Sequence, residues 1–494
     1  MKANAARLRP NRAAAMLGCM LAALALAAPS RAAAQSSGHI TVAPPPESAS
    51  EQRATLGSTF EEPLLQPGRM RSTADWATDL QDLPTFLVDT NFTLKPRTYY
   101  YDQTSQPSGK VEEAWALGGS LEYRSGLAWE RLWVGAEFFG SWPLQAGANA
   151  RETLLLSPQG SSYTVLGQAY VAANLMKTDQ LIAGRFSSID TPYVNAEFNR
   201  MTPNAFQGAL LNGTLGDGPP SQGLHYLVGY LNKIKERNST QFVPMSQAAG
   251  SSVSQGTALG AVRYAQGEWA AGAAEYYTAD VMNIVYLGAS FSPALVAPYE
   301  LRLSGQYTDQ HSLAGAGDTP LPWQCGLQAI GSRDAAVLTL AFTQTGSAGN
   351  VASPWGSAPS YTRTEVHSNA RAGENAALGM LSYHFNRPGL PGLSATAVAA
   401  RYWDAVSTAS KPRPNQTEVA TCTWTTRFRR GRSMACGFAC STRRSPARAG
   451  DRRRSGAPSS TGKCPCCRQA AQTTIDAHAL GRRMAKRPSP TDRT

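Results

Sequence analysis

The sequence predicts an all-β chain, a transmembrane antiparallel β-barrel, and three observations carry that expectation. Apolar and polar residues alternate with period 2 through most of the chain from Phe86 onward, the mark of strands with one apolar and one wet face. Charge is sparse, 16% of 494 residues against about 25% in soluble domains, while Tyr and Trp gather near strand ends. An export signal precedes the strands. No stretch reaches about 18 consecutive apolar residues, which excludes a helical membrane protein.

Residues 1–34 read as a cleaved signal peptide. Met1 to Arg12 is basic, Ala13 to Ala28 is a small apolar run ended by Pro29, and Ala32-Ala33-Ala34 before Gln35 supplies the small-residue cleavage site. Cys19 does not mark a lipid anchor, because the apolar run continues beyond it to Leu26. Residues 35–83, with Pro44-Pro45-Pro46 and a Ser/Glu/Ala/Thr-rich run, lack a clear period and read as a disordered arm.

The strands follow. In the first, Phe86, Val88, Phe92 and Leu94 share one parity, and Asp89, Asn91, Thr93, Lys95 and Arg97 the other. Leu117, Leu121 and Tyr123 alternate with Ser120, Glu122 and Arg124; Leu301, Leu303 and Tyr307 alternate with Arg302, Ser304, Gln306 and Thr308. Further strands are expected near 131–140, 162–174, 178–185, 206–212, 223–233, 257–265, 267–277, 281–291, 334–343, 375–386 and 393–402, about fourteen in all. Gly/Ser-rich stretches at 246–256 and 344–360 read as external loops. A soluble sandwich or propeller could use the same alternation, but no blade repeat of about 40–50 residues is present. In hydrocarbon such strands must close, since an open edge leaves backbone groups unpaired.

Residues 179–213, DQLIAGRFSSIDTPYVNAEFNRMTPNAFQGALLNG, narrow the choice. Thr191-Pro192, Asn199-Arg200, Pro203 and Phe206-Gln207-Gly208 in that order resemble the OprD family of bacterial outer-membrane porins. FLVDTNFTLKPRTYYYD (86–102), LGQAYVAANL (166–175), GYLNKIKERNSTQFVPM (229–245) and NARAGENAALG (369–379) fit as well, so the resemblance spans about 84–419. It implies an 18-stranded barrel in the outer membrane, monomeric or trimeric, inserted by the barrel-assembly machinery. Small solutes, many of them carboxylate-bearing, would diffuse through it passively. It also implies that the loop after the fifth strand, about Phe186 to Asn204, folds into the lumen, with Asp190, Asn195, Glu197, Asn199 and Arg200 facing the solute. A ladder of basic residues is expected along one wall: Lys95, Arg97, Arg124, Arg263, Arg302 and Arg401. Acids such as Asp89 and Glu122 are expected opposite, each basic residue having cross-strand pairing or a rim position as its alternative.

Rival chemistries are weaker. The histidines of the body (His39, His225, His311, His367, His384) come with no local catalytic signature, and no G-x-S-x-G is present. Neither an enzyme nor a cofactor or metal is expected. An adhesive or structural surface barrel and a non-functional truncated porin remain as alternatives. The formal charge of +12 does not point to nucleic acid, because it sits at the ends: five basic residues and no acid in 1–35, seventeen basic residues against three Asp in 421–494, and a net −7 between.

Those last residues are anomalous. Six of eight cysteines lie after 420, and Glu and Tyr vanish there. Cys464-Pro465-Cys466-Cys467 and the arginine clusters imitate zinc and nucleic-acid motifs. GC-rich coding DNA read off frame gives this same mixture. Joining the last base of each codon to the first two of the next, Ala420–Thr421 yields Asp, Asn, His or Tyr. Thr421–Cys422 yields Leu, Val or Met, Cys422–Thr423 His or Tyr, Thr423–Trp424 Leu, Val or Met, and Trp424–Thr425 Asp. The hidden reading alternates like a strand, and one codon choice gives DLHVDYAFPKGPLNGLRLRM, which is similar to the family. A one-base shift near codons 418–421 is therefore expected, with 420–494 an aberrant, disordered tail. Fourteen strands before it and four lost after it make the family's eighteen. The chain ends Pro490-Thr491-Asp492-Arg493-Thr494, where such barrels normally end on an aromatic residue. The barrel is expected to be incomplete at its C-terminal end, with a gap or a strained closure.

Overall fold

The computed structural model describes residues 85–105, 110–176, 178–215, 222–313, 319–320, 322–364, 367–385, 393–406, 416–426, 434–444 and 471–475. The expected signal peptide, the N-terminal arm and most of the tail lie outside the described residues.

A helical turn, Thr85–Val88, takes the place of the first residues expected as strand, and the wall starts at β1 (Asn91–Ser105). It continues through β2 (Lys110–Arg124), β3 (Leu132–Ala146), β4 (Tyr163–Asn174), β5 (Gln180–Phe186), β6 (Ala205–Leu215) and β7 (Gly223–Lys235). After the two-residue β8 (Val243–Pro244) come β9 (Thr257–Gln266), β10 (Trp269–Thr278), β11 (Met282–Phe291) and β12 (Tyr299–Ser312). After a second such piece, β13 (Thr319–Pro320), come β14 (Gln324–Arg333), β15 (Ala336–Thr345), β16 (Asn375–His384) and β17 (Leu393–Trp403). The last three are β18 (Gln416–Thr426), β19 (Met434–Arg444) and β20 (Ala471–Ile475). All belong to one 20-stranded antiparallel sheet. β8 and β13 only flank β7 and β12, so eighteen strands form the wall among the described residues.

Pattern counting misses β14. Its sequence, QCGLQAIGSR, carries small residues on both parities and so little contrast between faces, yet it pairs over its whole length with β12 and β15.

The ring meets itself at a narrow seam. Among the described residues β20 pairs with β1 only at Arg97↔Thr474, Thr98↔Thr473 and Tyr99↔Gln472, whereas β1 pairs with β2 over fifteen positions. The wall is thus incomplete at its C-terminal end, as the sequence implies, with a five-residue closing strand standing where a full one is needed. Backbone groups left unpaired in hydrocarbon cost several kcal/mol each.

The two faces sort cleanly. Phe92, Leu94, Leu117, Leu121, Trp142 and Leu340 lie on the outward parity and are exposed, as a lipid-facing surface requires. Among the described residues no helix is long and apolar enough to cross a membrane; the crossing is made by strands.

Connections alternate between short turns at one end (175–179, 267–268, 334–335) and long loops at the other (147–162, 187–204, 236–256, 346–374). The long loops turn inward. Ile189, Tyr193, Val194, Val351 and Trp355 are buried against Phe206, Leu210, Leu227, Leu231, Tyr276 and Ile284 on the inner parity of β6 to β11. That half of the inner wall is apolar because it seats loops instead of water.

Candidate functional site

The loop 187–204 hangs from β5 and β6, which meet at Phe186↔Phe206. Thr191 closes its first turn: its N–H and Oγ1 both donate to the carbonyl of Val194, at 2.9 and 2.8 Å. Tyr193 inserts beneath, its ring edge-on to Tyr276 with centroids 6.0 Å apart. Burial raises the Tyr193 hydroxyl well above its ordinary value, so it stays neutral.

Asn195 fastens this loop to the loop 346–374. Its Nδ2 donates to the carbonyls of Thr191 (3.2 Å) and Ser357 (3.0 Å), and its Oδ1 accepts from the Ser357 N–H at 3.0 Å. Gly356 makes the approach possible. Its φ is +151°, and a Cβ there would stand 2.5 Å from Asn195 Oδ1. The second loop is held to the wall by Gln310, whose amide both donates to and accepts from Ala352 at 2.8 and 2.9 Å, and by Tyr402, which donates to the Thr362 carbonyl at 2.7 Å. Buried Trp355 ties it to the loop 236–256 by donating to the Met245 carbonyl at 2.8 Å.

At the tip, three loops meet on one carboxylate. Glu197 lies 3.1 Å from Arg237 and 3.3 Å from Arg363, and accepts from Ser357 Oγ at 2.9 Å. Burial pushes its carboxyl up, but the Arg237 and Arg363 guanidiniums outweigh this and leave it below the ordinary 4.5. A depressed carboxyl stabilises the folded arrangement fully above its ordinary value and stops doing so as pH falls through the depressed one. Channel current and its noise are therefore expected to stay constant from neutral pH down to about 4.5, with loop fluctuations growing only in more acid solution. Loop fluctuations that stay unchanged well below pH 4.5 would rule out Glu197 as the fastening charge.

The expected ladder is placed as follows. Lys95, Arg97 and Arg124 share the inner face of β1 and β2, and Arg263 and Arg302 share that of β9 and β12, roughly opposite in the ring of strands. They form two groups, not one ladder. Lys95 is ion-paired with Glu122 (2.6 Å) and Glu137 (3.5 Å). The acids thus sit beside the base instead of across the lumen, and Asp89 lies before β1. Arg97 is buried, 4% exposed, with its guanidinium 4.3 Å over the Phe198 ring of the constriction loop. Arg124 stands over Trp133 at 5.1 Å.

Two expectations need correction. Arg401 pairs in register with Ala377, which faces Phe342 on the outward parity. Arg401 is exposed on the outer face near the long-loop end, where arginine can snorkel to the interface. Asn195 does not face the solute; it is 6% exposed and serves as a fastener. Asp190 and Asn199 are exposed, and Arg200 is partly so. Arg200 donates to the Thr153 carbonyl at 3.0 Å and covers the Tyr101 ring at 5.0 Å. The Arg237 side chain donates to Asn199 Oδ1 at 2.5 Å.

Arg237, Arg363 and Ser357, which complete the tip, carry no sequence signal of their own. Loops have no period, and nothing in local spacing says that positions 197, 237 and 363 converge.

A family model described as "outer membrane porin, OprD family" matches residues 84–435, running on past Val419. No curated protein matches the chain at a significant level. Among solved structures, Pseudomonas aeruginosa OccK9 (OpdG) superposes with a TM-score of 0.64 at 18% identity, covering 80% of this chain and 98% of its own. A BenF-like porin from Pseudomonas fluorescens Pf-5 gives 0.64 at 15%, covering 79% and 98%. Pseudomonas aeruginosa OpdK, solved with vanillate, gives 0.61 at 16%, also covering 79% and 98%. At these identities the likeness is one of fold.

Proposed function

Since this chain belongs to the OprD family of outer-membrane porins, we propose that it passes small carboxylate-bearing solutes by passive diffusion. The observation that carries this reading is the tip of the inward loop, where two guanidiniums, Arg237 and Arg363, share the one carboxylate of Glu197, with Arg200 adding a further positive charge near Arg237. A passage narrowed to molecular size strips water from a solute, so wall charges act more strongly there than in bulk. A surplus of guanidinium groups then favours anions, and a planar fork suits a carboxylate. The vanillate in the OpdK structure, itself a carboxylate, supports the same class. Export by the segment 1–34, insertion by the assembly machinery and trimer formation belong to the same proposal.

Ion selectivity in planar bilayers tests it. At about 10–20 Å and an effective dielectric constant of about 40–80, one wall charge is worth about 0.2–0.8 kcal/mol. Arg302→Gln, on the inner face, is expected to lower the anion-to-cation permeability ratio by about 2- to 15-fold, since the charge favours the anion and disfavours the cation equally. Arg401→Gln, on the outer face, should leave the ratio unchanged. Equal effects of the two substitutions would remove the electrostatic basis of the reading.

The residues after 420 are proposed to be an off-frame reading of the last family hairpins. β18 spans the break and β19 follows it, and the two pair antiparallel with Cys422↔Cys440 in register. A one-base shift preserves residue positions, and the hidden reading alternates at those same places.

A further inference from the structure

All three contacts of the Glu197 carboxylate fall on one oxygen. Oε1 meets Arg237 Nη1, Arg363 Nη2 and Ser357 Oγ, and none is made by Oε2 among the described residues. Guanidinium forks are shaped for bidentate carboxylates, so both arginines are held below capacity. Arg371, close by, is matched with Glu374, whereas Arg363 has Glu197 as its one acidic partner among the described residues. Glu197 also holds a φ of +45°, a sparsely populated region for a residue with a side chain, kept only while its surroundings enforce it. Beside the clasp lies a cavity lined by Glu197, Ser353, Gly356, Arg363, Ser368 and Arg371.

We infer that Glu197 is an internal carboxylate standing in the solute's place: a permeating carboxylate takes over Arg363 and Arg237, Glu197 swings out, and the loop 187–204 lifts until the solute leaves. This rests on the carboxylate reading above and adds that the cargo opens its own constriction. Exchange of one carboxylate for another leaves the net charge of the clasp unchanged. Neither guanidinium, each less than one-fifth exposed, is then left without a counter-charge, which is the costly outcome for a partly buried ion.

The test uses the full chain with its frame restored near codons 418–421, refolded into planar bilayers, with benzoate as the probe and benzamide as its neutral analogue. In the native sequence, millimolar benzoate, and not benzamide, is expected to lengthen open dwell times by about threefold or more, the effect of about 0.7 kcal/mol of differential binding. In Glu197→Gln the dwell is already long and benzoate no longer changes it, while it blocks current at a concentration about fivefold lower or less, its charged competitor being gone. Ser357→Ala removes one neutral donor and keeps both ion pairs. It should shift the benzoate response to a concentration about threefold lower, in line with one hydrogen bond of about 0.5–1.5 kcal/mol. If benzoate lengthens the dwell of Glu197→Gln as much as that of the native chain, exchange is overturned while the carboxylate reading stands. If Glu197→Gln does not refold, an unshifted response in Ser357→Ala overturns exchange instead. If benzoate neither lengthens the dwell nor blocks either protein, the carboxylate reading fails and the inference falls with it.

Discussion

Asn195→Ala is expected to release the constriction loop and give a channel with larger, noisier current. The side chain amide satisfies the Ser357 N–H and the carbonyls of Thr191 and Ser357, and alanine satisfies none. A buried polar group that loses its partner costs about 1–3 kcal/mol. Thr191 is fully buried, but Ser357 borders the lumen, where water recovers part of the loss. The net cost to docking of the loop is about 2–4 kcal/mol, or about 30- to 1000-fold in the docked-to-undocked ratio. Single-channel recordings should show frequent steps to a higher conductance, and amides of 189–204 should exchange hydrogen faster. Traces matching those of the native chain would mean that the apolar anchors, chiefly Tyr193 and Val194, hold the loop without the staple.

Restoring the frame by one base near codons 418–421 carries the other large effect. As written, β1 has partners along three residues of its second edge among the described residues. Any part of that edge left open in lipid costs several kcal/mol per unpaired group. A handful of such groups would exceed the roughly 5–15 kcal/mol of net stability typical of folded proteins. The restored chain is expected to accumulate in the outer membrane at least tenfold above the chain as written, and to show heat-modifiable mobility on gels. Peptide mass spectrometry over 415–445 in the source strain tells which frame is translated. Equal assembly of both forms would show that the short β20 closure suffices.

Several features were readable residue by residue. Period 2 located fourteen of the strands, because each has one apolar face, and the segment 191–208 pointed to the family and to the inward loop. What escaped has definite causes. β14 has no contrast between its faces. Arg401 alternates with apolar neighbours like a lumen residue, yet the register Arg401↔Ala377 puts it outside; near the rim, alternation no longer distinguishes the two faces. Lys95 and Arg97 face inward as expected, but Glu137 and Phe198, which neutralise and cover them, come from β3 and a distant loop.

The sequence by itself determined the class of fold and the family, since these follow from local alternation and short contiguous motifs. Only the tertiary structure decided which charges meet. Glu197, Arg237 and Arg363 come from three loops separated by 40 to more than 160 positions, and their convergence depends on how apolar anchors such as Tyr193 and Trp355 seat those loops on the inner wall. Contact across such distances is set by packing in three dimensions, and no spacing along the chain encodes it.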